Sequence, residues 1–235
     1  MLISCWSPKG GSGTKVIACG LAAVLARARF PDAGSSAGAL LADLSGDAAA
    51  VLGVAEPTGP GLAEWLTAGP DVAAGALGRL EVEAAPGLRL LGWKPPGPEF
   101  RAGPGRAEAL VEALSADARP VVADCGRGTS GAGLALAAGA EISLLVLRPC
   151  YLALRRALAA PVRPSGVVLV TEMGRSLGRR DVEDVLGVPV RAEVAIEEAV
   201  ARAVDAGLLA RRIPRTLERA RRPLSGTGRA GRDAA

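Results

Sequence analysis

A chain of 235 residues that is 49% apolar can close one sizeable α/β core or a tight pair of domains. No apolar run reaches the ~18 residues of a membrane-spanning helix. The start, Met1-Leu2-Ile3-Ser4-Cys5-Trp6, lacks the basic segment and cleavage site of a secretory signal. The absence of histidine excludes Ser-His-Asp triads, Cys-His nucleophiles and His-ligated zinc. A net charge of +4 is too mild to argue for nucleic acid by itself.

The four cysteines, Cys5, Cys19, Cys125 and Cys150, are widely spaced and form no C-x-x-C pair. They fit buried, reduced thiols of a cytoplasmic protein better than a disulfide framework.

In chain order, the apolar runs predict strands at Leu2–Trp6, Ala39–Asp43, Leu88–Trp93, Pro120–Asp124, Ile142–Leu147, Val167–Val170 and Val188–Arg191. Most are continuously apolar, as strands covered on both faces should be. Helices are predicted near Thr14–Arg29, Gly61–Ala68, Ala107–Ala116, Gly131–Ala138, Tyr151–Ala159, Arg180–Leu186 and Ile196–Ala206. This alternation predicts an α/β fold: a doubly wound, mostly parallel sheet of about seven strands with helices on both faces. Ligands of such sheets sit at the carboxyl ends of the strands.

Two Pro/Gly-rich segments, Gly53–Gly61 and Gly92–Gly105, read as loops rather than domain linkers. Residues 1–224 are therefore expected to form one domain, and 225–235, rich in Gly, Ser and Arg, a disordered tail.

The strongest local signal follows the first strand: Ser7-Pro8-Lys9-Gly10-Gly11-Ser12-Gly13-Thr14-Lys15-Val16. Three glycines in four positions, between a strand and a helix, let backbone N–H groups turn toward an anion. The helix adds the partial positive charge of its N-terminus. Only three lysines occur in the chain, Lys9, Lys15 and Lys94, and two of them lie in this loop. The plainer alternative is a tight β–α turn that uses glycine for packing.

Lys9-Gly10-Gly11-Ser12-Gly13 resembles the deviant Walker A loop of the MinD/ParA ATPases, which runs Lys-Gly-Gly-x-Gly-Lys-Ser/Thr. The resemblance extends over about residues 1–210. It implies a P-loop NTPase fold, ATP or ADP at Gly10, Gly11, Ser12, Gly13, Thr14, Lys15 and Val16, and a homodimer in which Lys9 reaches the partner's nucleotide. The chain departs from the pattern: the family's phosphate-binding lysine falls on Thr14, its Mg²⁺-binding hydroxyl falls on Lys15, and Pro8 replaces the first glycine of the general P-loop pattern.

Asp43 in Leu41-Ala42-Asp43-Leu44-Ser45-Gly46-Asp47 matches the first acid of the family's switch I. The second acid, which orients the attacking water, falls on Ser45, a poor activator of water at neutral pH. Asp47 is close but out of register. Pro120-Val121-Val122-Ala123-Asp124-Cys125-Gly126-Arg127-Gly128 resembles Walker B with switch II. The resemblance thus implies Lys9 and Asp43 in catalysis, Asp43 and Asp124 near Mg²⁺, and Asp124 and Gly128 at the nucleotide. Alternatively, Asp43 simply ends a strand and Asp124 caps the next helix.

Where the family ends a strand in an adenine-reading Asn, this chain has Thr171 or Glu172. Because Lys15 opens the first helix, its ammonium is expected within about 4 Å of Asp124 or Asp43, in the place of the metal.

The expected role is a positional switch in cell-division site selection or pilus and polar positioning, with absent or very weak ATPase activity. Its partner would be an unknown protein of that machinery. A scaffold that dimerises without turnover is the alternative, and a ParA-like nonspecific DNA binder a third. Nine arginines lie between Arg202 and Arg232, interrupted by Pro214 and Pro223. A last helix packed on the sheet with solvated arginines is favoured over contact with the inner membrane surface or DNA.

Overall fold

The computed structural model describes residues 1–28, 38–56, 58–69, 72, 74–94, 100–128 and 131–225. Eight strands form one sheet: β1 Leu2–Trp6, β2 Ala39–Asp43, β3 Glu81–Ala85, β4 Leu88–Leu91, β5 Val121–Asp124, β6 Ile142–Leu147, β7 Gly166–Thr171 and β8 Val190–Ala195. Their spatial order is β3-β4-β2-β5-β1-β6-β7-β8. All neighbours are parallel except β3, which runs antiparallel to β4 at the edge.

The helices are α1 Thr14–Arg27, α2 Ala48–Leu52, α3 Leu62–Thr67, α4 Arg106–Ser115, α5 Gly131–Gly139, α6 Tyr151–Leu158, α7 Arg179–Leu186, α8 Glu198–Asp205 and α9 Arg215–Ser225. They divide between the two faces. Ile3, Cys5, Leu41, Val122 and Leu144 pack on the side of α1, α2, α8 and α9. Leu2, Leu40, Val121, Leu145 and Leu169 pack on the side of α3 to α7. Alternate residues of each strand thus feed two separate cores, which is why β1, β2 and β6 are buried along their whole length. β1 lies where the strand order turns from one direction to the other. In doubly wound sheets such a switch point is where ligands bind, and here it lies at the carboxyl end of β1, where Ser7–Gly13 follows.

The expected α/β class and sheet are the observed ones, with eight strands in place of about seven. β3 escaped the sequence pattern because Glu-Val-Glu-Ala-Ala is not an apolar run and is only half-buried. α2 is a five-residue helix that no long periodic pattern announces. Pro95–Pro98 lies outside the described residues, as does the chain beyond Ser225.

The arginine-rich end forms α9 despite its prolines. Pro214 precedes the helix, and its carbonyl accepts the Leu217 and Glu218 N–H groups at 3.0 and 3.2 Å. Leu217 and Ala220 are buried while Arg215 and Arg219 face solvent. A Cβ on Gly20 of α1 would stand 2.7 Å from Leu217 Cδ1, so the missing side chain lets α9 dock closely. A second close approach joins the end of α2 to the turn after α8. There a Cβ on Gly53 would overlap the Gly207 carbonyl oxygen.

Candidate functional site

The loop after β1 is shaped by its own hydroxyls. Ser7 and Ser12 Oγ are 2.8 Å apart, and both lie within 3.0 Å of the Lys9 carbonyl oxygen. The Ser7 N–H also donates to the Gly126 carbonyl at 3.0 Å, tying the loop to the segment after β5. Gly11 and Gly13 hold φ of 77° and 85°, which favours glycine. At Gly10 no positive φ demands glycine, and a Cβ there would meet nothing within 4 Å. Its open side is space that a ligand's oxygens can enter. Gly13, the cap of α1, has no side chain to satisfy the first N–H groups of the helix. The expected loop residues Gly10 to Val16 thus lie together in one turn running into α1, a cradle whose free N–H groups could hold an anion, with Lys9 half-buried at its start.

Opposite the cradle, β2 and β5 end side by side. Asp43 and Asp124 are register partners across that pair, and both are buried. Their surroundings differ. Asp43 is held by backbone: Oδ1 accepts the Ser45 and Gly46 N–H groups, both at 2.9 Å, and Oδ2 accepts the Ala48 N–H at 3.0 Å. Asp43 therefore closes the turn Ser45-Gly46-Asp47 and starts α2. Asp124 accepts the Gly126 N–H on Oδ1 at 3.1 Å and the Ser45 hydroxyl on Oδ2 at 2.6 Å. Burial, the largest influence, raises the Asp124 pKa above the ordinary carboxylate value; Asp43 adds to the rise, while Ser45, Gly126 and Lys15 work against it.

Lys15 does not pair with Asp43 or Asp124, contrary to the expectation from sequence. Its Nζ donates to Ser45 Oγ at 3.0 Å and lies 3.5 Å from Asp47 Oδ2. Ser45 has one proton, and at 2.6 Å it goes to Asp124. The connection therefore runs in one direction, from the Lys15 ammonium through the Ser45 hydroxyl to the Asp124 carboxylate. The correction has a physical cause. Asp43 has spent both oxygens on backbone, and Asp47, in left-handed conformation at φ 65°, swings toward the loop. Ser7, Ser45 as a bridge, and Asp47 thus join the candidate site, although the resemblance gives none of them a binding role. The Ser-Gly-Asp turn sequence was the available signal for Asp47.

Of the implied Mg²⁺ set, little fits a metal. The hydroxyl position of the first helix carries an ammonium, both Asp43 oxygens accept backbone N–H groups, and Asp124 is held by Ser45. Among the described residues no three His, Cys, Asp or Glu side chains are grouped to hold a metal ion.

Gly128 sits where a Cβ would stand 2.6 Å from Trp6 Cβ, with φ 56°, so packing and backbone both require glycine there. Beyond the cradle a cavity of about 230 Å³ is lined by Gly11, Val16, Val170, Ile196 and Val200, with Arg148 beside it. Glu172, one candidate for base recognition, is occupied by two arginines: Oε2 accepts from Arg148 Nη2 at 2.6 Å and from Arg175 Nε at 2.8 Å. Those hydrogen bonds, Arg148 first, hold its carboxyl below the usual range. The thiols of Cys5, Cys19 and Cys125 are buried and free, and burial raises their pKa values further, which keeps them protonated.

No protein-family model matches the sequence, and comparison with curated proteins finds no match. Solved structures do match. A ParA family ATPase from Chlorobium tepidum TLS superposes with TM-score 0.76 at 20% identity, covering 93% of this chain and 94% of that one. The septum site-determining protein MinD of Pyrococcus horikoshii OT3, complexed with Mg-ADP, gives 0.70 at 17% identity, covering 93% of each chain. A substituted McdA from Cyanothece, solved as its ATP complex, gives 0.67 at 16% identity, covering 93% and 92%. Nearly full-length superposition at such low identity is a statement about architecture: this chain has the fold of the ParA and MinD ATPases.

Proposed function

We propose that the protein is a MinD/ParA-like nucleotide-binding positional switch, in cell-division site selection or in pilus or polar positioning, with ATPase activity absent or very weak. The observation that carries the binding half is the cradle, above all the open space at Gly10. The relatives of like fold include proteins solved with Mg-ADP and with ATP, which favours the same ligand class here. The catalytic half is argued from what is missing. Thr14 offers no ammonium to the phosphates. Ser45, at the water-orienting position, has already given its proton to Asp124 and a lone pair to Lys15. Loss of one preorganised electrostatic contact costs about 10²–10³ in rate, and two are lost.

Dimerisation through the cradle face would then depend on Lys9, whose ammonium supplies cross-interface charge. Titration calorimetry with ATP and ADP tests binding. Turnover should stay below about 1 s⁻¹, the low end of the common enzyme range. Sedimentation of Lys9→Ala in the presence of nucleotide should show monomer where the wild type shows dimer.

A second reading, a scaffold without nucleotide dependence, is favoured by one observation: the Lys15–Ser45 bond already closes the β2 turn onto the loop with no ligand required. Nucleotide-independent dimers in the same sedimentation experiment would select it.

A further inference from the structure

We infer that a second cavity, walled by Trp93, Phe100 and the start of α5, is a binding site for a small carboxylate with an aromatic body. The cavity holds about 560 Å³, a size ordinary for small-molecule sites. It lies across the sheet from the cradle: Leu44, Trp93, Phe100 and Ala132 pack in the core on the side of α3 to α7, whereas α1 packs on the other.

The floor is apolar. Leu44, Ala132 and the buried Cys125 thiol contribute to it, together with the two rings. Trp93 and Phe100 meet edge to face, with centroids 5.0 Å apart and planes at 84°. Trp93 Cδ1 also lies near Gly46, where a Cβ would stand 3.9 Å from it, so the ring is held from the β2 turn as well. Both rings are nonetheless only half-buried. A further flat ring placed against them would remove that remaining apolar surface from water. Gly131 leaves room for it, since a Cβ there would meet nothing within 4 Å.

The rim supplies charge. Arg101 and Arg127 line the cavity, and both are exposed. Among the described residues no carboxylate lines the cavity, and neither arginine is in an ion pair. Other exposed arginines of this chain, Arg175, Arg179 and Arg202, are answered by acids. Arg101 Nη1 donates to the Phe100 carbonyl at 2.7 Å, which steadies the guanidinium beside the rings. A guanidinium fork matches a carboxylate through two parallel hydrogen bonds. One carboxylate on an aromatic body therefore answers the rim and the floor together. A neutral aromatic forfeits the rim, and a small polar anion forfeits the floor.

Titration calorimetry on the full chain with phenylbutyrate, its neutral amide and acetate is the test. Phenylbutyrate should bind one to one, and the amide and acetate each at least about tenfold more weakly. Arg101→Gln and Arg127→Gln change exposed side chains that the fold does not need. Each should weaken phenylbutyrate about threefold to tenfold and leave the amide unchanged. Tryptophan emission reports the place of binding, because Trp6 and Trp65 are buried and Trp93 lines the cavity. The emission change on adding phenylbutyrate should vanish in Trp93→Phe. Binding of acid and amide within about twofold of each other overturns the inference. So does full affinity in the Arg101→Gln/Arg127→Gln double variant, an emission change that survives Trp93→Phe, or no binding of phenylbutyrate below about 10 mM. None of these outcomes bears on whether the cradle holds a nucleotide.

Discussion

Two clusters of charged side chains in this molecule are built from similar parts and behave in opposite ways. At the amino end of β5, Arg119 grips Glu81 with both Nη atoms at 2.9 and 2.7 Å. It holds Asp117 through Nε at 3.0 Å and Nη2 at 2.7 Å. Arg89 adds a contact to Glu81 at 3.3 Å. Two arginines face two acids, and the charges balance. Burial alone would raise the Asp117 pKa, but its hydrogen bonds and attraction to Arg119 prevail and hold it below the ordinary value. At the carboxyl ends of β2 and β5, the buried Asp43 and Asp124 lie side by side, and the nearby Lys15 pairs with Asp47 instead of with either of them. There burial prevails, and the pKa of Asp124 is raised. The edge cluster is thus arranged to hold the sheet together, and the cluster above it retains unanswered negative charge. Shortage of cation, rather than depth alone, separates a fastening from a site.

Removing the shared cation should break the edge cluster first. Arg119→Ala leaves Glu81 and Asp117, whose side chains are only 9% and 18% exposed, without their partner. The expected loss is about 2–4 kcal/mol, somewhat below the cost for a fully buried pair. It should read as a fall of roughly 5–15 °C in Tm. The pH dependence gives the sign. Asp117 titrates below its unfolded value, so its stabilisation is complete above about 3.8, the ordinary value, and is lost as pH falls through the lower folded pKa. Acid unfolding should be correspondingly shallower in Arg119→Ala.

At the other cluster, Ser45→Ala takes the hydroxyl from Asp124 Oδ2 and leaves a buried carboxylate oxygen without a donor. A loss of about 1–3 kcal/mol is expected in denaturant titrations at neutral pH. Asp124→Asn should act in the opposite direction and raise Tm by roughly 2–4 °C, the response of a domain this size to about 1 kcal/mol. Because the folded pKa of Asp124 is raised, its ionised form opposes folding above that pKa, and the opposition fades as pH falls through it toward 3.8. The advantage of the Asn variant should fade over the same interval. A destabilised Asn variant would mean that the two clusters are alike after all. The smallest effect should come from Arg89→Ala, about 0.5–1 kcal/mol, since that side chain is 37% exposed and Glu81 retains Arg119.

The same contrast governs what could be read from the sequence. Strands β1, β2 and β6 carry uninterrupted apolar runs because both their faces are covered, so their bounds were legible. β3 pairs on one side only and lies half-exposed, so its pattern is mixed and it went unseen. The glycine turn between β1 and α1 was legible because glycines so clustered between a strand and a helix have few other uses. The arrangement of Lys15 was not, because its partner depended on where Asp43 spent its oxygens. A backbone turn decided that, through three N–H donors and one left-handed aspartate, and residue types in register carry no record of it.

The close approach of Gly53 and Gly207 has a consequence of a different order. With no side chain at either position, the end of α2 and the turn after α8 touch backbone to backbone, across 154 residues of chain (207 less 53). Neither glycine can be exchanged alone without forcing the two segments apart. Across descendants of this sequence the two positions should change together or not at all. A distant relative with glycine at both would keep this docking even where its loop residues have diverged past recognition, and the pair offers a marker of shared ancestry that owes nothing to nucleotide chemistry.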